Sequence, residues 1–178
     1  MDSHRRSKSS LLRAFLAVTV AAALGASAAG QERRLDLVSE MVADHNALRA
    51  RAGVPPVTWD QQLAGHAQAW ADGLVAEPGL HHSPHASRPG EGENLARIDG
   101  GRTSATDLFS GWAREGELYR YGPLNCADLS GLGRTGHFTQ VIWRSTSRIG
   151  CAVAYAGQSQ VLVCRYAPPG NICGQTPY

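Results

Sequence analysis

The residues of this sequence best suited to chemistry are the histidines of one short segment. His81, His82 and His85 lie in the stretch from Leu80 to Gly101, which is rich in Gly, Pro, Ser and His. Neutral imidazole nitrogens are preferred ligands of Zn²⁺, so this segment is a candidate metal site. Loop histidines are more commonly plain solvated side chains, and for His81 and His85 both interpretations stay open.

The local patterns of common hydrolases and zinc clusters are absent from the sequence. Neither Gly-x-Ser-x-Gly nor His-Glu-x-x-His occurs, so neither a nucleophile elbow nor a zincin helix is indicated. The four cysteines include no Cys-x-x-Cys pair, which argues against a zinc cluster.

The N-terminus has the features of a secretory signal peptide. Basic residues precede an apolar run from Ala14 to Leu24, and small residues follow, ending at Ala28. The run is roughly half of the about 20 apolar residues that a membrane span needs. We predict a signal peptide over residues 1–28 and no transmembrane segment in the mature part. The expected location is extracellular, or periplasmic if the source is a Gram-negative bacterium.

Charge and length indicate a single domain without a polyanionic partner. The whole chain has a formal net charge of +2, but residues 1–28 carry four of the 17 basic residues and one of the 15 acidic ones. The remainder therefore has a net charge near −1, which gives no reason to expect nucleic acid as a partner. About 150 residues suffice for one self-supporting core.

An even number of cysteines in an exported chain predicts disulfides. Cys151 and Cys164 lie in two apolar segments that are separated by residues 156–159. If these segments form a hairpin, the two cysteines face each other at a distance that a disulfide can close. We therefore predict the pairs Cys151 with Cys164 and Cys126 with Cys173.

Apolar spacing and capping residues predict three helices. The first runs from Leu35 to Ala52. The second starts at a capping box formed by Thr58 and Gln61 and ends before Pro78-Gly79, and the third runs from Ser104 to about Glu115. His45 and His66 fall within the first two helices, and we expect them to form structural hydrogen bonds.

The remaining elements are predicted to be a loop and three strands. Residues 80–101 lack apolar periodicity, which predicts a long loop tethered around residues 94–96. Phe138–Trp143, Ile149–Tyr155 and Gln160–Tyr166 are rich in β-branched and aromatic residues and predict strands. Helices followed by an antiparallel meander predict an α+β domain. The tryptophans are expected in the core; they are Trp59, Trp70, Trp112 and Trp143.

Two segments carry a resemblance to the CAP superfamily, which includes cysteine-rich secretory proteins, antigen 5 and plant pathogenesis-related proteins. Gly136–Trp143, with the sequence Gly-His-Phe-Thr-Gln-Val-Ile-Trp, resembles the first signature of that superfamily, and Val163–Asn171 resembles the second. Further matches occur at Asp44–Asn46, Gly53–Asp60, His82-Ser83 and Gly92–Leu95. The resemblance implies a CAP domain over residues 35–178, folded as a three-layer α-β-α sandwich with a mostly antiparallel central sheet.

The same resemblance implies a surface cleft that gathers two histidines and two glutamates. Matched by motif, these are His82, Glu93, Glu115 and His137, with Glu117 as an alternative to Glu115. His82 and His137 are then the expected ligands of Zn²⁺ or another divalent metal, and Glu93 and Glu115 would orient the imidazoles or poise a bound water. A purely structural hydrogen-bonded network of the four residues is the alternative.

Two functions are compatible with this constellation. The first is ligand binding, to a lipid, a sterol or an extracellular polymer, with Leu74, Leu80 and Leu108 as candidates for lining an apolar groove or as plain core. The second is metal-dependent extracellular hydrolysis of peptides or glycans, in which Glu93 and Glu115 are the candidate catalytic carboxylates. We expect binding, with hydrolysis as the alternative.

Overall fold

The computed structural model describes residue 31 and residues 33–125, 127 and 129–178. The predicted signal peptide and Cys126, and with it the predicted pair of Cys126 with Cys173, lie outside these residues. The chain divides into two units, Met1–Asp36 and Leu37–Tyr178. Residues 33–36 of the first unit are helical. All features described below belong to the second unit.

The described part of this unit contains four helices and four strands. Helix α1 covers residues 37–51 of the unit. The other helices are α2 (Gln61–Ala76), α3 (Ala105–Arg114) and α4 (Leu129–Val141), with two single 3₁₀ turns at His85–Ser87 and Glu115–Glu117. The strands are β1 (Thr58–Trp59), β2 (Gly92–Ile98), β3 (Arg148–Ala156) and β4 (Ser159–Ala167).

The predicted helices α1, α2 and α3 are confirmed, with one change in capping. Ser104 caps α3 in a full capping box with Asp107. The predicted box of Thr58 with Gln61 is wrong, because Asp60 caps α2 by accepting hydrogen bonds from the next two available backbone amides. Thr58 instead lies in β1, where it pairs with Arg148.

The prediction of a strand at Phe138–Trp143 is wrong, because residues up to Val141 belong to α4. Phe138, Val141 and Ile142 are three and four positions apart, and they pack on one side against the same core cluster. An apolar run this short fits either a strand or a buried helix, and here its β-rich composition is overridden by tertiary packing.

The prediction of a loop over residues 80–101 is also wrong in part, because β2 lies within it. Glu93, Asn94 and Leu95 are all buried, and two of these three are polar. A strand that buries polar residues on both faces shows no apolar alternation in its sequence. The backbone ladder to β4, with Asn94 opposite Cys164, defines it instead.

The four strands form one sheet in the order β1-β3-β4-β2. The β3–β4 and β4–β2 pairs are antiparallel, whereas β1 pairs with β3 in parallel. The expected order of helices followed by a meander is therefore wrong, since β1 and β2 lie between helices in the chain. The predicted hairpin is correct, and Cys151 and Cys164 are directly opposite and joined by a disulfide.

Alternation along β3 and β4 divides the core between the two faces of the sheet. On one face Leu162 and Cys164 pack with α1, α3 and α4, and on the other Val161 and Val163 pack with α2. The α+β sandwich with a mostly antiparallel sheet is thus confirmed. The four tryptophans lie within these clusters, against them or in the buried core.

The three leucines proposed for an apolar groove do not lie together. Leu74 is buried on the sheet-facing side of α2, Leu108 packs against the cluster on the opposite face of the sheet, and Leu80 is exposed. Among the described residues, no helix has the length and apolar character needed to span a bilayer.

The guanidinium of Arg49 joins α1 to the end of α4. It is completely buried and donates to the carbonyl oxygens of Val141 and Trp143, where α4 ends, and to those of Pro55 and Thr146. Carbonyl groups at a helix C-terminus lack hydrogen-bond donors within the helix, and the Arg49 guanidinium donates to them instead. Burial lowers the pKa of Arg49 to about 10, which still leaves it charged at neutral pH.

His45 confirms its predicted structural role on the same helix. Its Nδ1 contacts the carbonyl oxygen of Met41 at 2.6 Å, and its Nε2 lies 3.0 Å from the Tyr166 hydroxyl. The Asn94 amide donates to the same hydroxyl, so this buried network connects α1 with β4 and β2. Burial lowers the pKa of His45 to about 4, which keeps the imidazole neutral.

Replacing Arg49 with Lys is expected to lower the free energy of unfolding by about 2–4 kcal/mol, because an ammonium group cannot satisfy a fork of buried carbonyls. Chemical denaturation of the oxidised protein measures this, and Arg51→Lys, on the exposed side of the same helix, is the matched control. Equal stability of the two variants would show that Arg49 does not hold the end of α4.

The free energy of unfolding should fall by about 2 kcal/mol between about pH 7 and about pH 5 because of His45 alone. The unfolded chain takes up a proton at this imidazole near pH 6.5, whereas the folded chain excludes it until about pH 4. Carboxyl groups titrate mainly below this window. Urea denaturation should show this loss in the parent and a loss smaller by about that amount in His45→Gln. An unchanged pH dependence in the variant would contradict the assignment.

Candidate functional site

The carboxylate of Glu93, on β2, is fully buried and completely hydrogen-bonded. Its Oε1 lies 2.7 Å from His82 Nδ1 and accepts from the backbone N–H of Ser83 at 2.9 Å. Its Oε2 accepts from the Ser83 hydroxyl at 2.8 Å and faces a guanidinium nitrogen of Arg165 at 3.0 Å. Four donors thus surround one charge, and they fix His82 and Ser83 against the sheet.

These contacts decide the protonation of Glu93. Burial alone would raise its pKa, but the hydrogen bonds from His82 and Ser83 and the positive charge of Arg165 together hold the pKa below its usual value. Glu93 is therefore an ionised acceptor at neutral pH, and the stability that its contacts provide is lost as the pH falls through its lowered pKa.

The Glu93 contacts continue into a longer chain of charges. Arg165 also contacts Glu91 Oε2 at 3.2 Å, and Glu91 Oε1 lies 2.6 Å from His66 Nδ1. These contacts connect five side chains in the order His66, Glu91, Arg165, Glu93 and His82. A carboxylate therefore lies on each side of the buried Arg165 guanidinium. The imidazole of His66, on α2, is thus bound to a carboxylate as that of His82 is, which confirms the predicted structural role of His66.

A second His–Glu pair joins α3 to α4. His137 Nδ1 lies 2.6 Å from Glu115 Oε1, and Glu115 Oε2 accepts from the backbone N–H groups of His137 and Phe138. The structure therefore selects Glu115 over Glu117 as the partner of His137. The His137 ring stacks on Trp112, with ring centroids 5.9 Å apart.

The two His–Glu pairs meet the edge strand β2 at adjacent residues. Glu93 binds His82, while the side-chain amide of the next residue, Asn94, donates to the His137 carbonyl oxygen at 3.0 Å. Trp112, which stacks on His137, donates from its indole N–H to the carbonyl oxygen of Leu95. Three consecutive residues of one strand thus connect to both pairs.

Two glycines permit the close approaches around this strand. A Cβ on Gly116 would lie 2.7 Å from the Phe138 ring, so the residue after Glu115 must lack a side chain for α4 to pack here. A Cβ on Gly92 would lie 2.2 Å from the Gln140 side-chain oxygen. Both contacts are shorter than side-chain carbons tolerate, which explains glycine beside each of the two glutamates.

The hydrogen bonds determine what each imidazole can offer. A carboxylate partner at Nδ1 holds the proton there and leaves Nε2 as a lone-pair donor in the neutral ring. This is the arrangement in which a histidine binds a metal with a carboxylate behind it, and both His82 and His137 fit it. Among the described residues, no three His, Cys, Asp or Glu side chains converge as a ready ligand set.

A cavity of about 440 Å³ lies beside His82. Glu91 and Glu93 are among its lining residues, as are Pro89 and Pro169. The polar side chains of its walls include His82, His85 and Arg88 on the loop that precedes β2, and Gln140 and Asn171 from α4 and the C-terminal segment.

Sequence reasoning missed Arg165 and Glu91, which hold the network together, and it left His81 and His85 open. A charged residue within the apolar strand that contains Arg165 was the available signal, because it requires a buried counter-charge. His81 is half-exposed and contacts the Trp70 ring and the Glu77 carboxylate, whereas His85 lines the cavity.

The comparisons with known proteins agree with this fold. The family model described as CAP, cysteine-rich secretory protein family, matches residues 42–166. Pathogenesis-related protein 1A of Nicotiana tabacum is 41% identical over 136 residues, which cover 75% of this chain and 76% of that protein. Pathogenesis-related protein 1 of Arabidopsis thaliana is 37% identical over 144 residues, covering 80% and 83%.

The structural comparison extends the likeness to a protein of low sequence identity. The crystal structure of NaASP2 with Zn²⁺ matches with a TM-score of 0.66 at 23% identity, covering 79% of this chain and 83% of that one. At this identity the match supports the fold alone. With the family model matching most of the described chain and relatives near 40% identity, the protein belongs to the CAP family of cysteine-rich secretory proteins.

Proposed function

We propose that this protein is an exported ligand-binding domain in which His82 and His137 bind Zn²⁺ or another divalent cation through their Nε2 atoms. The observation that carries the proposal is the pairing of both Nδ1 atoms with glutamate carboxylates, at 2.7 Å and 2.6 Å. A bound cation would supply a Lewis-acidic centre that attracts oxygen atoms of a ligand.

The exposure of the two imidazoles supports the proposal. The His82 side chain is 54% exposed and that of His137 is 30% exposed, whereas the Glu93 carboxylate behind His82 is not exposed at all. The imidazole edges are thus reachable from solvent while their carboxylate partners are held within the protein. The related fold of NaASP2, solved with Zn²⁺, is consistent with a metal-binding role.

The state of Glu93 favours binding over hydrolysis. A general acid or base must reach a substrate and exchange a proton with it. Glu93 is buried, ionised and occupied by four donors, and both oxygens of Glu115 accept hydrogen bonds from α4. Both candidate catalytic carboxylates are therefore better suited to orienting the imidazoles than to exchanging protons with a substrate.

The proposal also includes an extracellular location and a polar ligand. The family of secretory proteins, the plant relatives and the predicted signal peptide all support an extracellular location, and nothing supports a periplasmic one. The separated leucines and the polar walls of the cavity favour a polar extracellular component over a lipid or sterol.

Calorimetric titration of the oxidised protein with Zn²⁺ near neutral pH tests the proposal. We expect saturable binding in the parent and affinity at least about tenfold weaker in both His82→Ala and His137→Ala. His66→Ala is the matched control, because it also removes a half-exposed imidazole bound to a carboxylate.

The pattern across the variants gives the result. Loss in both site variants with retention in His66→Ala supports one site that uses both histidines. No binding in the parent, or equal binding in all four proteins, would leave the two pairs as structural connections and refute the metal-binding part of the proposal.

A further inference from the structure

The polar groups of the cavity beside His82 are unequally engaged by the protein. Gln140 uses its amide oxygen to accept from the Gly170 backbone N–H and its amide nitrogen to donate to Thr146. Asn171 accepts from Thr139 and donates to the Gly136 carbonyl oxygen. These two carboxamides are thereby fixed in the cavity wall, with one N–H group left on each amide nitrogen.

The two carboxylates of the cavity are equally engaged. Glu93 accepts from His82, Ser83 and Arg165, and Glu91 contacts His66 and Arg165, so each of the four oxygens already has a partner. Neither carboxylate is free to select a cationic ligand.

The positively charged hydrogen-bond donor of the cavity lies on the loop before β2. Arg88 donates from Nε to the Ser83 carbonyl oxygen and from one terminal nitrogen to the Glu91 carbonyl oxygen, and its other terminal nitrogen lies 3.4 Å from His85 Nε2. A guanidinium has five N–H groups, so one hydrogen on each terminal nitrogen remains. With Nε2 facing Arg88, His85 carries its proton on Nδ1 and is also a donor.

The available acceptor lies on the same side of the cavity. The Glu93 carboxylate accepts the proton of His82 Nδ1, which in the neutral ring leaves a lone pair on Nε2. The cavity thus offers an acceptor at His82 next to a cluster of donors at Arg88 and His85. A ligand that matches both must carry a hydroxyl group and an anionic acceptor.

The charges around the cavity limit the charge of the ligand. The guanidinium groups of Arg88 and Arg165 balance the carboxylates of Glu91 and Glu93, and three of these four, Arg88, Glu91 and Glu93, line the cavity. Of the two guanidinium groups, that of Arg88 lines the cavity and that of Arg165 does not. This arrangement suits a single carboxylate held by one guanidinium and disfavours a highly charged polyanion.

We infer that the cavity binds a hydroxylated carboxylic acid, namely a uronic acid or its dimer. Its carboxylate contacts Arg88 and His85, and in the metal-free protein a ring hydroxyl donates to His82 Nε2. A volume of about 440 Å³ lies within the range of small-molecule sites and accommodates one or two sugar rings. The inference rests on the proposed function only in taking the cleft at His82 as the binding site, because it needs no metal.

Chemical-shift titration of the oxidised protein with digalacturonate, in the presence of a chelator, tests this inference. Its methyl ester lacks the charge, and succinate has carboxylates but no hydroxyl group. We expect digalacturonate to bind at least about tenfold more tightly than either, since a charge-assisted hydrogen bond and the His82 contact are both required. Equal affinity for the ester or for succinate would overturn the inference.

Variants of the loop locate the site. Arg88→Gln and His85→Gln should each weaken digalacturonate binding, the first by about tenfold or more. Arg102→Gln removes the same charge from an exposed arginine that stacks on Tyr155, and it should bind as the parent does. If Arg88→Gln does not fold, His85→Gln, whose side chain is exposed, carries the test. Parent-like binding in folded Arg88→Gln or in His85→Gln would overturn the inference.

The two proposals can fail separately. Zn²⁺ binding without digalacturonate binding would refute the acidic-sugar site and leave the metal proposal standing. Digalacturonate binding in chelator by a protein that does not bind Zn²⁺ would refute the metal proposal and support the acidic-sugar site.

Discussion

The negative charge of Glu93 lies on an edge strand with no exposure to solvent, and much of the surrounding structure meets the cost of burying it. Its donors come from the loop before β2, at His82 and Ser83, and from the neighbouring strand, at Arg165. A loop without apolar anchors is thereby held against the sheet through one carboxylate. The position of the cavity wall, and of His82 itself, depends on that charge being satisfied.

The second His–Glu pair uses the same principle with different elements. Glu115 caps the C-terminus of α3 and accepts hydrogen bonds from the backbone N–H groups of His137 and Phe138 on α4, so that His137 is held through both its side chain and its backbone. In both pairs the carboxylate is held within the protein and the imidazole edge is left outside. This division of roles suits sites that bind, since the groups that could move protons are committed to holding position.

Much of the fold could be predicted from local sequence, and the failures have physical causes. The Cys151–Cys164 hairpin and the α3 capping box are encoded by residues close in sequence. The helical state of Phe138–Val141 was missed because a short apolar run fits two structures, and β2 because it buries Glu93 and Asn94. Motif resemblance named His82 and His137 with Glu93 and Glu115, and the structure pairs them. Their support by Arg165 and Glu91 depends on contacts between distant residues that no local pattern encodes.

The central claim is that glutamates fix the protons of His82 and His137 at Nδ1 and leave Nε2 free. Nitrogen-15 NMR of the imidazole rings, in metal-free and mildly alkaline buffer, tests this most directly, because the two nitrogens of a neutral ring differ in shift with the position of the proton. We expect both rings to carry their proton predominantly on Nδ1. An exchanging mixture, or an Nε2–H form at either histidine, would show that the glutamates do not fix the proton position.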